Sequence, residues 1–240
     1  MYLGGYMKTL LKSVVGICSA ALMGVGTPAN AGLLIPSDEQ RLAAWLGEGP
    51  ISLSALYAKQ AGDNAADFHA AVNGKGKTVF VAEVTTQEGA SFLVGGYNPH
   101  SWSSSGGYTI TSANADRKAF LFNLTTGTLH RQMLRGVGME QIGAYQALND
   151  GALGPTFGSG HDFSISEDLQ SGYSLLYSYA DAGLGNLNRS IADGSYFKSM
   201  DDLAISQLEV YSVAVVPEPA QISLLLGGLA VVAVARRKKR

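Results

Sequence analysis

Three observations predict a mostly β fold of the α+β class. Glycine accounts for 30 of the 240 residues, well above the usual fraction of roughly 7%, and this favours a turn-rich β architecture over a helical bundle. Residues 78–84, TVFVAEV, are β-branched and almost wholly apolar, the pattern of a strand buried on both faces. Residues 92–122 open with an apolar run into Gly95-Gly96 and close on AFLF. Between these lie Tyr97, Trp102 and Tyr108 among serines and a second glycine pair, Gly106-Gly107. That stretch reads as strand, long Gly/Ser loop, strand. Apolar residues make up 46% of the chain, enough for a core of ordinary size.

The chain begins with a secretory signal peptide pattern over residues 1–31. Lys8 and Lys12 supply the positive region, residues 10–25 the apolar one, and Ala29-Asn30-Ala31 the small-residue site for signal peptidase. Cleavage is expected after Ala31, with a retained signal anchor as the alternative; Met7 is a more usual start than Met1. The single cysteine, Cys18, lies in this segment behind Ile17, which is too bulky for a lipidation site. A mature chain therefore has no disulfide, no thiolate nucleophile and no cysteine metal ligand.

The next elements follow in order. Ser37 with Gln40 three residues on predicts a capped helix over 41–46. Leu53, Leu56 and Tyr57 stand at helical spacing after Pro50, predicting a helix over 53–61, and a third short helix is expected over 67–72. Residues 74–77 break the pattern. Strands are then expected at 78–84, 91–95 and 119–124. Residues 140–148 are weakly periodic and leave helix and strand open. Phe163 and Ile165 alternate within 162–166, as do Leu208 and Val210 within 207–213. No internal repeat or low-complexity linker interrupts residues 35–213, which read as one domain.

The C-terminal segment 216–240 has its own order. Pro217-Glu218-Pro219 comes first, then sixteen mostly apolar residues, 220–235, then five basic ones, 236–240. Sixteen helical residues span about 24 Å against a hydrocarbon core of about 30 Å. A C-terminal transmembrane helix in the precursor is expected, with local thinning of the bilayer. The basic cluster keeps to the cytoplasm and places the domain outside. Residues 32–216 hold ten Lys and Arg against eighteen Asp and Glu, a net charge of −8. Such a surface excludes nucleic acid and anionic lipid as main partners.

Candidate chemistry is sparse. His161-Asp162 is the foremost pair, because an imidazole beside a carboxylate serves as a base or a metal ligand. Neighbours on a strand point to opposite faces, however, so one of the two is expected to be buried and hydrogen-bonded beside the glycine turn. A catalytic serine within 101–105 would need His100 as partner, and no G-x-S-x-G elbow is present. Metal-site and nucleotide-loop spacings are absent, and four histidines in all argue against zinc. No metal and no cofactor is expected. Gly158-Ser159-Gly160 reads as an anion nest or as a tight turn. Tyr97, Trp102 and Tyr108 read as a sugar-stacking platform or, for Trp102, as a core plug.

Five ordered blocks carry a family resemblance. Gly95-Gly96-Tyr97, Trp102 through Gly107, and residues 119–124 resemble the central signature of the TLDc domain. Gly154-Pro155-Thr156-Phe157-Gly158 with Gly160-His161-Asp162 resembles its second block, and residues 174–179 and 208–211 its closing strands. Upstream, residues 53–57 and 76–78 resemble its opening helix and first strand. The similarity spans roughly 35–213. It departs from the family pattern near residue 72, where many members have a cysteine, and at a loop over 184–195 that does not align with it. The tail resembles the PEP-CTERM sorting signal of Gram-negative bacteria.

The resemblance implies a two-sheet antiparallel β-sandwich flanked by short helices, with no agreed catalytic mechanism. Eukaryotic members are linked to oxidative-stress resistance and, for some, to the vacuolar proton pump; neither is expected at a bacterial surface. The tail implies an exosortase as processing partner, an inner-membrane-anchored precursor, and release to the cell envelope or the extracellular matrix of a biofilm. One reading is therefore an exported binding or protective module whose partner is an exopolysaccharide or another envelope protein. The other is a secreted hydrolase or oxidative-stress enzyme with its site near His161 and Asp162.

Overall fold

The computed structural model describes residues 32–136, 141–181 and 183–216. The signal segment with Ala29 and Ala31 lies outside the described residues, as does the tail with Pro217, Glu218, Pro219 and its expected transmembrane helix. Among the described residues no helix is long and apolar enough to cross a membrane. Among the described residues two α-helices and eleven strands follow one another: α1 (Pro36–Leu46), β1 (Ile51–Ala58), α2 (Ala65–Val72), β2 (Thr78–Thr86), β3 (Ser91–Asn98), β4 (Ser105–Ile110) and β5 (Phe120–Asn123). Then come β6 (Thr128–Arg131), β7 (Tyr145–Asp150), β8 (Thr156–Phe157), β9 (Phe163–Ile165), β10 (Ser171–Ser174) and β11 (Leu203–Val215).

Antiparallel ladders join the eleven strands in the order β4-β7-β8-β9-β10-β11-β2-β3-β5-β6, with β1 added to β11. The long β11 organises this path. One of its edges pairs with β2 from Leu203 to Ser212. Its other edge is divided: Leu203 and Ala204 pair with β10, and residues 209–215 pair with β1. The sheet is bent sharply. Phe80 in β2 stacks on Phe163 in β9 at 5.2 Å between ring centroids, yet the two strands are three steps apart, about 14 Å on a flat sheet. Phe157 in β8 lies 5.5 Å from the same ring.

Alternation along β2 explains how the core divides. Phe80, Ala82 and Val84 point inward and pack with Leu121, Phe157, Phe163 and Ile165. Val79 and Val81 point outward and pack with Tyr97, Phe120 and Phe122 beneath α1. This strand is buried on both faces, as its unbroken apolar run predicts. Helix α1 closes the outer face through Leu42, fully buried, and Trp45, whose ring lies 5.7 Å from Phe122 and 6.5 Å from Phe120. Covering each such phenylalanine contributes about 1.5–3 kcal/mol. Helix α2 inserts Phe68 and Val72 into the inner cluster. It is capped by Asn64, whose side chain accepts the Ala66 N–H at 2.8 Å.

The glycine pair is required by close approach. A Cβ on Gly95 would stand 2.2 Å from the Phe80 carbonyl oxygen and 2.5 Å from the Phe122 ring. One on Gly96 would stand 2.6 Å from Phe80 and 2.9 Å from Leu121 on the opposite face. Gly154 makes room in the same way for Leu169 and Ile165, at 2.8 and 3.0 Å. Beyond it Thr156, fully buried, bonds Ser164 across the β8–β9 pair at 3.0 Å.

Three sequence expectations are corrected. Residues 53–61 do not form a helix: 51–58 is strand β1, paired with β11. The register slips between Ala55 and Tyr57. Ile51 and Leu53 therefore alternate towards the outer cluster in the ordinary way, while the bulge leaves Leu56 and Tyr57 both half-buried. A strand with one bulge thus imitates the i, i+3, i+4 spacing of a helix. Second, the segment between β3 and β5 is not one long loop, since β4 pairs with β7 inside it. Its ladder is irregular at Gly106 and Gly107, both at positive φ, and its side chains are largely exposed, so no apolar run announces it. Third, α1 starts at Pro36, not Arg41. Ile35 is the N-cap, Pro36 takes the first helical position, and the Asp38 carboxylate accepts the Ile35 N–H at 3.3 Å. Ser37 lies within the helix.

Candidate functional site

His161 and Asp162 occupy the turn before β9, and their side chains diverge. His161 has a left-handed backbone, φ +62°, and its Nδ1 lies 2.8 Å from the Tyr173 hydroxyl. Burial lowers its pKa, against a smaller opposing effect of Asp150. Asp162 is fully buried. Its Oδ2 accepts the backbone N–H groups of Tyr177 at 2.5 Å and Tyr179 at 2.7 Å, and its Oδ1 that of Ser178 at 3.0 Å. Burial pushes this carboxyl up to about 7, while the three N–H donors pull it down. Gly158 belongs to the same clamp, because a Cβ there would fall 1.8 Å from Asp162 Oδ1. Asp162 thus ties residues 177–179 to the Gly158–Gly160 turn, and it faces no solvent cavity. The two residues do not share one site.

The serines of 101–105 bind local backbone and amide groups. Ser101 accepts the Gly76 N–H at 2.9 Å, Ser104 accepts from Asn73 at 2.7 Å, and Ser103 and Ser105 bond each other at 2.8 Å. His100 turns to Gln146, 3.1 Å away. Tyr97 and Trp102 are each 2% exposed and belong to different clusters, one on each face of the sheet. The stacking platform of Tyr97, Trp102 and Tyr108 is therefore not assembled. Trp102 is the core plug: it packs on Phe68 and Phe157 at 5.6 and 5.5 Å, and its Nε1–H donates to Thr78 at 2.9 Å. Among the described residues no group of three or more His, Asp or Glu is placed to hold a metal ion.

A cleft of about 500 Å³ lies elsewhere, between the β5–β6 hairpin and the chain over 176–194. Thr126, Thr128, His130, Asn186 and Ser190 give it hydrogen-bonding groups, over apolar surface from Phe92, Leu176 and Leu184. A second cleft, also about 500 Å³, runs along β6 to Asp181. His130 lines both clefts. Burial lowers its pKa to about 4, against Asp181, so the imidazole is neutral at pH 7. Asn186 Nδ2 lies 3.2 Å from His130 Nδ1, which makes Nδ1 the acceptor and leaves the ring proton on Nε2.

The loop forming the far wall is fixed by many bonds. Asn123 of β5 donates to the carbonyls of Ile191 and Ala192 at 3.0 and 2.8 Å. The Leu176 N–H donates to the Arg189 carbonyl at 2.9 Å and the Leu176 carbonyl accepts the Asn188 N–H at 2.8 Å, with Asn188 at φ +60°. The Arg189 guanidinium lies 3.6 Å above the Tyr196 ring. Polar groups on rigid backbone around an apolar floor suit a polar ligand of some length. The arrangement lacks paired carboxylates and a nucleophile with its base. Sequence reasoning missed these residues; the signal available was the loop over 184–195, which could not be aligned by its motifs.

Comparison with known proteins gives two matches in tandem. A family model of the TLDc domain matches residues 49–214. A model of the PEP-CTERM protein-sorting motif matches residues 215–240. No curated protein matches the chain. The first match begins after α1, so the helix that covers the outer face lies outside it.

Proposed function

Because the chain belongs to the TLDc family and ends in a PEP-CTERM sorting motif, we propose that it is an exported binding module which an exosortase delivers to the cell surface. The observation that carries this reading is the tandem of domain and sorting motif. Its junction is tight: β11 ends at Val215, and the Val216 N–H still donates to the Pro50 carbonyl at 2.8 Å. Pro217 follows with no spacer.

In this reading signal peptidase cuts after Ala31, and the apolar tail holds the precursor in the inner membrane. Exosortase then acts near Pro217-Glu218-Pro219 and releases the domain to the envelope or the biofilm matrix. The domain is a two-sheet sandwich with β11 shared between its halves, a description supported by the Phe80–Phe163 stack across the bend. The ligand is a neutral or cationic matrix polysaccharide lying along the clefts beside His130. Hydroxyl and amide groups there supply hydrogen bonds, and the net charge of −8 over residues 32–216 disfavours polyanions. The divergence of His161 and Asp162 counts against a hydrolase built on that pair. The test is co-sedimentation of the exported protein with matrix polysaccharide, for the native chain and for Asn186→Ala with Thr128→Ala. Binding that weakens at least tenfold in the double variant supports the assignment. Retention of a polyanion in preference to neutral polymers refutes it.

A further inference from the structure

Glu209 of β11 is half-buried and lacks a cationic partner among the described residues, where the ion pairs are Lys77–Glu48 and Lys198–Glu88. Its Oε2 accepts the backbone N–H of Leu33 at 2.7 Å and also the hydroxyl of Tyr211. Burial first, then Glu209, and more weakly Glu39 of α1, raise the pKa of that hydroxyl. The surroundings are thus acidic. Residue 32 lies directly against this carboxylate: a Cβ on Gly32 would stand 2.7 Å from Tyr211 Oη and 3.3 Å from Glu209 Oε2. Leu33 and Leu34 pack into the outer cluster beside Tyr211 and Val213. The chain is docked on the sheet from residue 32 onward.

We propose that the α-ammonium of Gly32, created by signal peptidase, binds the Glu209 carboxylate and locks the new N-terminus onto β11. The inference rests on cleavage after Ala31. Water adds across the Ala31–Gly32 amide; the signal segment leaves with a carboxylate, and the Gly32 nitrogen becomes an ammonium. That nitrogen is a neutral amide in the precursor, so cleavage places a positive charge beside a carboxylate already oriented by two donors. Charge-assisted bonds of this kind are roughly twice as strong as neutral ones. Glycine at position 32 fits the device, since any side chain would meet Tyr211. The contact raises the amine pKa above its ordinary value of about 7.7–8.0. Its stabilisation is complete below that range and is lost as the pH rises through the raised value.

The test starts from protein exported by its host. Intact mass fixes the first residue, and NMR titration of the reductively 13C-methylated α-amine gives its pKa. The expected result is a start at Gly32 and an amine titrating about one unit above the ordinary value, returning to it in Glu209→Gln. Retaining Ala31 by engineered cleavage shifts the ammonium by one residue and should also return it. A start at any other residue overturns the proposal at its premise. A Gly32 amine with an ordinary pKa, unchanged by Glu209→Gln, overturns the contact itself.

Discussion

Replacing Asp162 with alanine should be among the most damaging single changes in the domain, although the residue lies in a turn. The wild-type carboxylate receives three backbone donors, at 2.5, 3.0 and 2.7 Å, and those of Ser178 and Tyr179 are fully buried. Each buried donor left without an acceptor costs about 1–3 kcal/mol. Removing the carboxylate also relieves the desolvation that pushes it up to about 7, which offsets part of that loss. The net expectation is about 3–5 kcal/mol. A domain of this size loses about 2–4 °C of Tm per kcal/mol, so Tm should fall by about 6–20 °C. Asp162→Asn should fall between, because its amide keeps one acceptor oxygen and turns an NH2 group towards an N–H. His161→Ala is the control: it gives up one bond to Tyr173 and should cost about 1 kcal/mol. Urea unfolding of the three variants, followed by far-UV circular dichroism, measures the series. An Asp162→Ala protein within 1 kcal/mol of wild type would refute the clamp.

Other consequences are as direct. Gly96→Ala places a methyl between Phe80, Leu121 and Phe157, rings and chains already stacked against one another; denaturant unfolding should show a loss of about 1–3 kcal/mol. Trp102→Phe removes the Nε1–H bond to Thr78 and part of the plug over Phe68 and Phe157, and should cost about 2–4 kcal/mol by the same measurement. Stability against pH should show two opposing slopes. His130, lowered to about 4, contributes stability that is present above its ordinary pKa of about 6.5 and lost as pH falls through 4. Asp162, raised to about 7, contributes in the opposite sense: its share is present below about 4 and lost as pH rises through 7. Each is worth about 3–4 kcal/mol, so the wild-type profile should be nearly flat from pH 4 to 6.5. His130→Gln should leave stability falling with pH, and Asp162→Asn should leave it rising; parallel profiles for the two variants would contradict both assignments.

The central strands were legible because burial on both faces leaves a continuous apolar signature. In β2, β3 and β5 one neighbour is a hairpin partner and the covering layers come from further along the chain, yet each demands the same apolar side chains. Helix α2 was legible as a short helix, although its Asn64 cap sets its start at Ala65, two residues before the expected one. Strand β1 was not, since its bulge reproduces helical spacing and its partner lies more than 150 residues away in β11. Strand β4 carries glycines and exposed side chains, and what makes it a strand is the edge of β7, not its own composition. The site was harder still. The role of Asp162 depends on backbone donors 15–17 residues further on, and backbone amides carry no residue identity. His130 matters because it lines both clefts, and nothing in its sequence neighbours marks it.

The account turns on export and sorting, and one measurement addresses that directly: the intact mass and cellular fraction of the protein, in its own host, with and without the exosortase. With the exosortase present, the mass should correspond to a chain that has lost the apolar, basic tail, recovered outside the inner membrane. Without it, a longer form should accumulate in the inner-membrane fraction. The same mass in the same fraction from both strains would contradict the account.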